Sequence, residues 1–294
     1  MAETKTGGRV VALGNFDGVH TGHRTLLDEA RRIGDEIGLP VSVWSFHDLP
    51  GPFLTPPDVR ASLLKRAGAD EVIYESFSRV KDLSPRRFVG EVLRDGLSAA
   101  VCVCGFNYTF GQNAAGDAGT LRALCAEVGI GCRIVPGFYR DGAAVSSSRI
   151  RALLRDGRTE EAAALLGRPY ELTGPVENGR HIGRTLSAPT VNQRLPEGQC
   201  LPGNGVYATR CEIGGIRFPS VTNVGLAPTV RNDGRVTVET HILRFEGDLY
   251  GKTVTVGFGP RLRDEKRFPS EEALREAIAR DAERAEAIFA EAAF

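Results

Sequence analysis

"VVALGNFDGVHTGH", residues 10 to 23, joins four apolar residues to a glycine-rich turn and two histidines three apart. The apolar run reads as a short buried strand. Beyond the turn, Leu26, Leu27, Ala30 and Ile33 fall on one helical face, and Gly34 is the expected stop. The stretch is therefore a strand–turn–helix junction. Gly18 and Gly22 let the backbone come close to a ligand. The start of the helix adds free N–H groups and partial positive charge, which suits phosphate. His20 and His23 are spaced to meet near one point, and imidazoles donate hydrogen bonds to phosphoryl oxygens.

Working outward, "VSVWSF" (41–46) and "AAVCVCG" (99–105) read as further buried strands alternating with helical segments. That alternation predicts a parallel, doubly wound sheet, in which ligands gather where strand ends meet helix starts. "VSSSRIRALLRDG" (145–157) and "RTEEAAALLGRPY" (158–170) predict two short helices, ending at Gly157 and Gly167, with serines capping the first and Thr159 the second. Ser147, Ser148, Arg149 and Arg151 form a second candidate anion site at the first of these helices.

After Pro169 the texture changes. "NGVYATRCEI", "RVTVETHILRF" and "KTVTVGF" are β-rich, partly alternating and separated by turn residues. They predict a small antiparallel barrel, or a sandwich, followed by a C-terminal helix. Ser270 caps that helix, Leu274, Ala277, Ile278, Ala285, Ile288 and Phe289 form its stripe, and Asp281 calls for a local Arg partner. The expected domains are residues 1–168 and 169–294. In the second, Thr190 and Asn192 lie on one face of an extended chain and offer oxygen ligands for Mg²⁺ and a nucleotide phosphate. Val236, Val238 and Ile242 take one face of a strand and leave Glu239 on the other with Thr237 and His241. On a solvent face Glu239 is a surface carboxylate; lining a cavity, it is a candidate general base for an alcohol.

The 294 residues suit two domains of ordinary size. With 37 basic and 37 acidic residues, a broad nucleic-acid or membrane-binding field is not expected. Six scattered cysteines without a CxxC pair read as core thiols of a cytoplasmic protein. No apolar run approaches the ~20 residues of a membrane span, and the sequence leaves the oligomeric state open.

"GNFDGVHTGH", "GFNYTFG" (105–111) and "SSSRIRALLRDG", in that order, resemble the adenylyltransferase module of bacterial bifunctional riboflavin kinase/FAD synthetases, one of the HxGH nucleotidyltransferases. The resemblance implies transfer of AMP from ATP to FMN with Mg²⁺, giving FAD and pyrophosphate. It places Gly14, Phe16, Asp17 and Gly22 at the nucleotide, His20 and His23 at the α-phosphate, and Asn107 at the reacting phosphates. Ser147, Ser148 and Arg149 take the departing pyrophosphate. "SFHDLPGPF" (45–53) stands where the family has a His-Pro loop, with His47 and Pro50 in another order. Because it follows a different strand, that loop is expected to touch substrate rather than the transferring phosphate.

"GRTLSAPTVN" (183–192), "TNVGLAPT" (222–229), "VETHILRFEGDLYGK" (238–252) and "PRLRDEKRF" (260–268) resemble the riboflavin kinase module of the same family. This implies transfer of the ATP γ-phosphoryl to the riboflavin 5′-hydroxyl, with Thr190 and Asn192 on Mg-ATP and Glu239 as base. The stretch containing Gly179, Gly183 and Thr185 is the implied flap over the nucleotide. Two other readings remain: a kinase whose first half is inactive or differently specific, and a flavin-binding regulator without turnover.

Overall fold

The computed structural model describes residues 8–48, 51–177, 190–226 and 236–291. The chain divides into two compact units, Met1–Ser147 and Ser148–Phe294.

The first unit runs β1 (Arg9–Leu13), α1 (Thr21–Ile37), β2 (Val41–Phe46), α2 (Pro57–Arg66) and β3 (Glu71–Glu75). Two short helices, α3 (Phe77–Val80) and α4 (Pro85–Arg87), lead through a π-helix (Phe88–Gly96) into β4 (Ala99–Gly105). A ribbon of β5 (Thr109–Phe110) and β6 (Gly116–Asp117) precedes α5 (Ala118–Glu127) and β7 (Gly131–Val135), and β8 (Tyr139–Arg140) pairs with β9 (Ala143–Ala144). The five main strands form one parallel sheet in the order β3-β2-β1-β4-β7. Alternate residues of β1 bury into opposite layers, as a doubly wound sheet requires. Val10 and Ala12 pack with Leu26, Leu27 and Leu64 of α1 and α2, whereas Val11 and Leu13 pack with Phe88, Leu93 and Leu121 of the π-helix and α5.

Gly34 does not end α1. The helix runs on to Ile37, and Gly38 (φ 68°) takes the left-handed cap. Gly34 is instead a packing glycine: a Cβ there would lie 2.8 Å from the Leu39 carbonyl oxygen and 2.9 Å from a Val41 methyl.

The second unit begins with α6, whose first residue is Ser147 (Ser147–Arg155), and α7 (Thr159–Leu166). Then come β10 (Tyr170–Glu177), β11 (Thr190–Gln193), β12 (Gly205–Ile213), β13 (Ile216–Leu226), β14 (Val236–Ile242), β15 (Thr253–Arg263) and α8 (Glu271–Glu291). The strands close into an antiparallel barrel, β10-β11-β14-β13-β12-β15. Closure removes exposed sheet edges. Thr209, Ser220, Thr222 and Thr240 are buried, and their hydroxyls satisfy one another in a chain of 2.8–3.0 Å contacts. Ala285 and Ile288 of α8 pack on Val206, Ala208 and Val221. Leu274, expected in that stripe, is 37% exposed. Asp281 is buried and bonds to Arg263 at 2.9 Å, the partner its position demanded.

The change of texture near residue 168 and the change of packing at 147/148 differ because α7 packs on β15 and β10 of the barrel and the Gly203 amide, ahead of β12, donates to the Leu154 carbonyl of α6. Thr159 is not a cap: it opens α7, and its buried hydroxyl donates to the Gly259 carbonyl at 2.6 Å.

Candidate functional site

In the first unit the strand order reverses between β1 and β4, which lie side by side with Leu13 opposite Cys104. Ligands of open α/β sheets bind at the carboxyl ends of strands where the order reverses. Gly14 follows β1 there, and Asn107, which is exposed, follows β4.

The turn between β1 and α1 is held in an uncommon conformation. Phe16 (φ 51°) and Val19 (φ 43°) are left-handed without being glycine, as is Gly18 (φ 82°). Such strain persists only when its surroundings enforce it, and here the anchors are visible. Asp17 is buried and accepts hydrogen bonds from the Leu54 and Thr55 amides at 2.8 and 3.1 Å. The Gly18 amide donates to the Thr55 hydroxyl at 3.1 Å, and the Ser147 hydroxyl donates to the Asp17 carbonyl at 2.8 Å. Ser45 and Arg60 both donate to the Asn15 carbonyl. Phe16 is buried beneath the turn, its ring 5.1 Å from that of His23.

His20 caps α1: its Nδ1 accepts from the His23 amide at 3.2 Å. An imidazole accepting at Nδ1 carries its proton, when neutral, on Nε2. The two histidine rings stack 3.5 Å apart and 14° from parallel. Burial, followed by the neighbouring His20 and Arg60, holds His23 well below the ordinary imidazole range. Its Nδ1 is buried without a hydrogen-bond partner, an acceptor or donor held for something else. A Cβ on Gly22 would press on the His20 ring at 3.3 Å, so the residue between the histidines is small for lack of room.

The structure therefore brings together Gly14, Phe16, Asp17, His20, Gly22, His23 and Ser147 in one anchored turn, and puts Asn107 at the neighbouring strand end. Ser148 and Arg149 are the next residues of α6 and belong to the second unit. Leu54 and Thr55, just past the loop at 45–53, are what Asp17 binds. Thr55 was missed from sequence, because a contact spanning 38 residues leaves no local pattern.

In the barrel, β14 buries Val238, Thr240 and Ile242 and leaves Thr237, Glu239 and His241 half-buried on the other face. Val236 shares the first set's parity but is exposed at the strand's start. Asn192 pairs directly with Glu239, and Thr190 with His241, across the β11–β14 ladder. On the other side Asn223 of β13 pairs with Glu239. Residues opposite one another in an antiparallel pair share a face, so Thr190, Asn192, Asn223 and Glu239 stand together. The Asn223 amide reaches Glu265 at 3.5 Å, and a Cβ on Gly225 would collide with the Glu265 carboxylate. Burial first, and the Glu265 charge second, push the Glu239 carboxyl up from its ordinary value. A carboxylate so raised binds a proton more readily than a free one, which is what a general base requires. Asn223 and Glu265 were not singled out from sequence; only the register shows that they meet Glu239.

Hydroxyl, carboxamide and carboxylate are oxygen donors, which suit a hard divalent cation. Among the described residues no three His, Cys, Asp or Glu side chains are grouped to cage a metal ion. A cation on this face thus fits the kind that keeps water and phosphate oxygens as ligands. Gly179, Gly183 and Thr185 lie outside the described residues.

Comparison with known proteins agrees with both halves. A family model for FAD synthetase matches residues 2–149, and one for riboflavin kinase matches residues 166–289. A bifunctional riboflavin kinase/FMN adenylyltransferase from Pseudomonas fluorescens is 37% identical, over 97% of this chain and 94% of the relative. The chain belongs to the bifunctional riboflavin kinase/FMN adenylyltransferase family. The relative of the same description from Escherichia coli (strain K12) is 33% identical, over 96% of this chain and 93% of its own length. A crystal structure described as a macrolide-efflux protein from Streptococcus pneumoniae superimposes with a TM-score of 0.86 at 31% identity, covering 96% of this chain and 95% of that one. Its fold is thus shared over nearly the whole of this chain. Among the described residues no helix is long and apolar enough to cross a membrane.

Proposed function

We propose that this chain makes both flavin coenzymes, phosphorylating riboflavin to FMN in the barrel unit and adenylylating FMN to FAD at the histidine turn. The reading is carried by one observation: each unit of the chain holds its own candidate site, the stacked His20 and His23 at a sheet's switch point and Glu239 between Asn192 and Asn223.

In the kinase reaction the Glu239 carboxylate takes the proton of the riboflavin 5′-hydroxyl as its oxygen bonds to the γ-phosphorus, and ADP leaves. Thr190 and Asn192 would hold Mg²⁺ with the ATP phosphates, and the cation would neutralise charge on the phosphoryl oxygens. In the second reaction an FMN phosphate oxygen attacks the α-phosphorus and pyrophosphate leaves. His20 Nε2–H and His23 steady the α-phosphate, Asn107 orients the reacting phosphates, and Ser147, Ser148 and Arg149 take the pyrophosphate. Neither step requires a covalent intermediate, so catalysis is positioning and charge stabilisation. The adenylyltransferase function extends over residues 1–168, since it draws on α6, and the kinase over 169–294.

Balanced charge fits small-molecule substrates better than nucleic acid. Six free cysteines fit the reducing cytoplasm. Incubation of the pure protein with riboflavin, Mg²⁺ and ATP, with riboflavin, FMN and FAD then resolved, tests the reading. Both products are expected; FMN alone would leave a kinase with a differently specific partner, and neither would leave a binding protein.

A further inference from the structure

Arg60, in the first turn of α2, is a cation with only 4% of its surface exposed. Its guanidinium reaches the carboxyl ends of three neighbouring strands. Nη1 donates to the Asn15 carbonyl after β1 at 3.2 Å, Nη2 to the Phe46 carbonyl that closes β2, and Nε to the Tyr74 hydroxyl of β3 at 3.1 Å. The Tyr74 ring centre lies 5.1 Å from the guanidinium carbon, and its hydroxyl donates to the Pro57 carbonyl at 2.7 Å.

All three acceptors are neutral, so they satisfy N–H groups and leave the charge unbalanced. Among the described residues no carboxylate forms an ion pair with Arg60. Asp17, the turn's own buried carboxylate, gives its oxygen to the Leu54 and Thr55 amides instead. Buried charges are ordinarily paired, because an unpaired one keeps the cost of leaving water.

The place of this charge is the second observation. Asn15, which Arg60 holds, precedes the left-handed Phe16 of the histidine turn. His23, whose Nδ1 is buried without a hydrogen-bond partner, lies within its electrostatic reach: burial and His20 lower the His23 pKa, and Arg60 lowers it further. An unbalanced cation and an unsatisfied imidazole nitrogen thus serve one small site, and both lack what a phosphate would supply.

We propose that Arg60 is a positioning residue of adenylyl transfer, clamping the histidine turn to β2 and β3 and leaving its charge for the phosphates of ATP to balance. This rests on the adenylyltransferase reading of the turn. A charge fixed before the substrate arrives has no need to reorganise as negative charge builds on the departing pyrophosphate, which is how preorganised charge speeds a transfer.

Two substitutions separate clamp from charge. Arg60→Lys keeps the charge and loses the planar fork, whereas Arg60→Met loses both. FAD formation from supplied FMN is followed across Mg-ATP concentrations, and the reverse reaction from FAD across pyrophosphate concentrations. In Arg60→Met the KM for ATP and for pyrophosphate should rise about tenfold or more, and in Arg60→Lys it should stay within about threefold of wild type, the difference expected of one full charge in a partly desolvated site. The urea midpoint should fall in both. Equal KM values in the two variants, or an unchanged KM in Arg60→Met, would reduce Arg60 to a structural clamp and overturn the proposal. If Arg60→Met does not fold, Arg60→Lys decides alone, and a KM raised about tenfold or more counts against the charge. An NMR titration of His23 reads the same charge without turnover: its midpoint should rise in Arg60→Met and hold in Arg60→Lys, and a midpoint that Arg60→Met leaves in place overturns the proposal. A wild-type protein that makes no FAD overturns instead the adenylyltransferase reading, and the His23 midpoint then still decides whether Arg60 acts on the turn by charge.

Discussion

Asn192 and Glu239 face each other across the β11–β14 ladder, and Asn223 flanks Glu239 from β13. The proposed base therefore stands on a rigid sheet face between two carboxamides, beside Thr190. Replacing Glu239 by Gln keeps shape and hydrogen-bonding capacity and removes only basicity. FMN formation should fall by ~10²–10⁴-fold, the ordinary contribution of a positioned base. FAD formation from supplied FMN should be unchanged, since that reaction makes no use of Glu239. A kinase rate within about threefold of wild type, well inside that range, removes Glu239 from the role.

Asp17 joins the histidine turn to the end of the loop after β2 through two backbone amides. Asp17→Ala leaves both buried donors without their acceptor, at about 1–3 kcal/mol each. The turn should relax, and FAD formation should drop while riboflavin phosphorylation in the same preparation continues. Asp17→Asn keeps an acceptor oxygen and should do less harm to both stability and rate. Equal, normal FAD rates in the two variants would show that the anchor has no bearing on the site.

His23 has a folded-state pKa lowered from 6.5, first by burial. Between that folded value and 6.5 the unfolded chain binds more protons than the native one. The stability His23 contributes is therefore present above 6.5 and is lost as the pH falls toward the folded value. An NMR titration of the imidazole signals should find His23 still neutral in the free protein at a pH where an exposed histidine is half protonated. A midpoint at or above 6.5 would show that desolvation and the His20 and Arg60 charges do not depress it.

Gly34→Ala tests the packing reading of that glycine. Helix propensity alone favours Ala by about 1 kcal/mol. The new methyl, however, would stand 2.8 Å from the Leu39 carbonyl oxygen. Overpacking of this kind costs about 1–3 kcal/mol, so the balance should be a net loss. The urea midpoint should fall with an unchanged slope, and a rise would mean that the loop at Leu39 yields freely.

The sheet was legible because β1, β2 and β4 are largely apolar runs, broken only by Arg9, Ser42 and Ser45 before the closing Gly105, and the barrel because its strands partly alternate. Helix ends were read less well. Gly34 and Thr159 carry the chemistry of a stop and a cap, but tertiary contacts with Leu39 and Gly259 decide their use. Local motifs named His20, His23, Thr190, Asn192 and Glu239, since spacing along the chain is enough to place each on a face. Thr55, Asn223 and Glu265 became visible only with the fold, because their partners lie 16 to 42 residues away in sequence.

The central claim is that one chain transfers two different phosphorus atoms of ATP. Parallel reactions of the pure protein with riboflavin, one using ATP labelled with ³²P at the γ position and the other at the α position, test it directly. The account predicts γ-label in FMN and, carried within it, in FAD, and α-label in FAD but never in FMN. FAD lacking α-label, or FMN lacking γ-label, would contradict it.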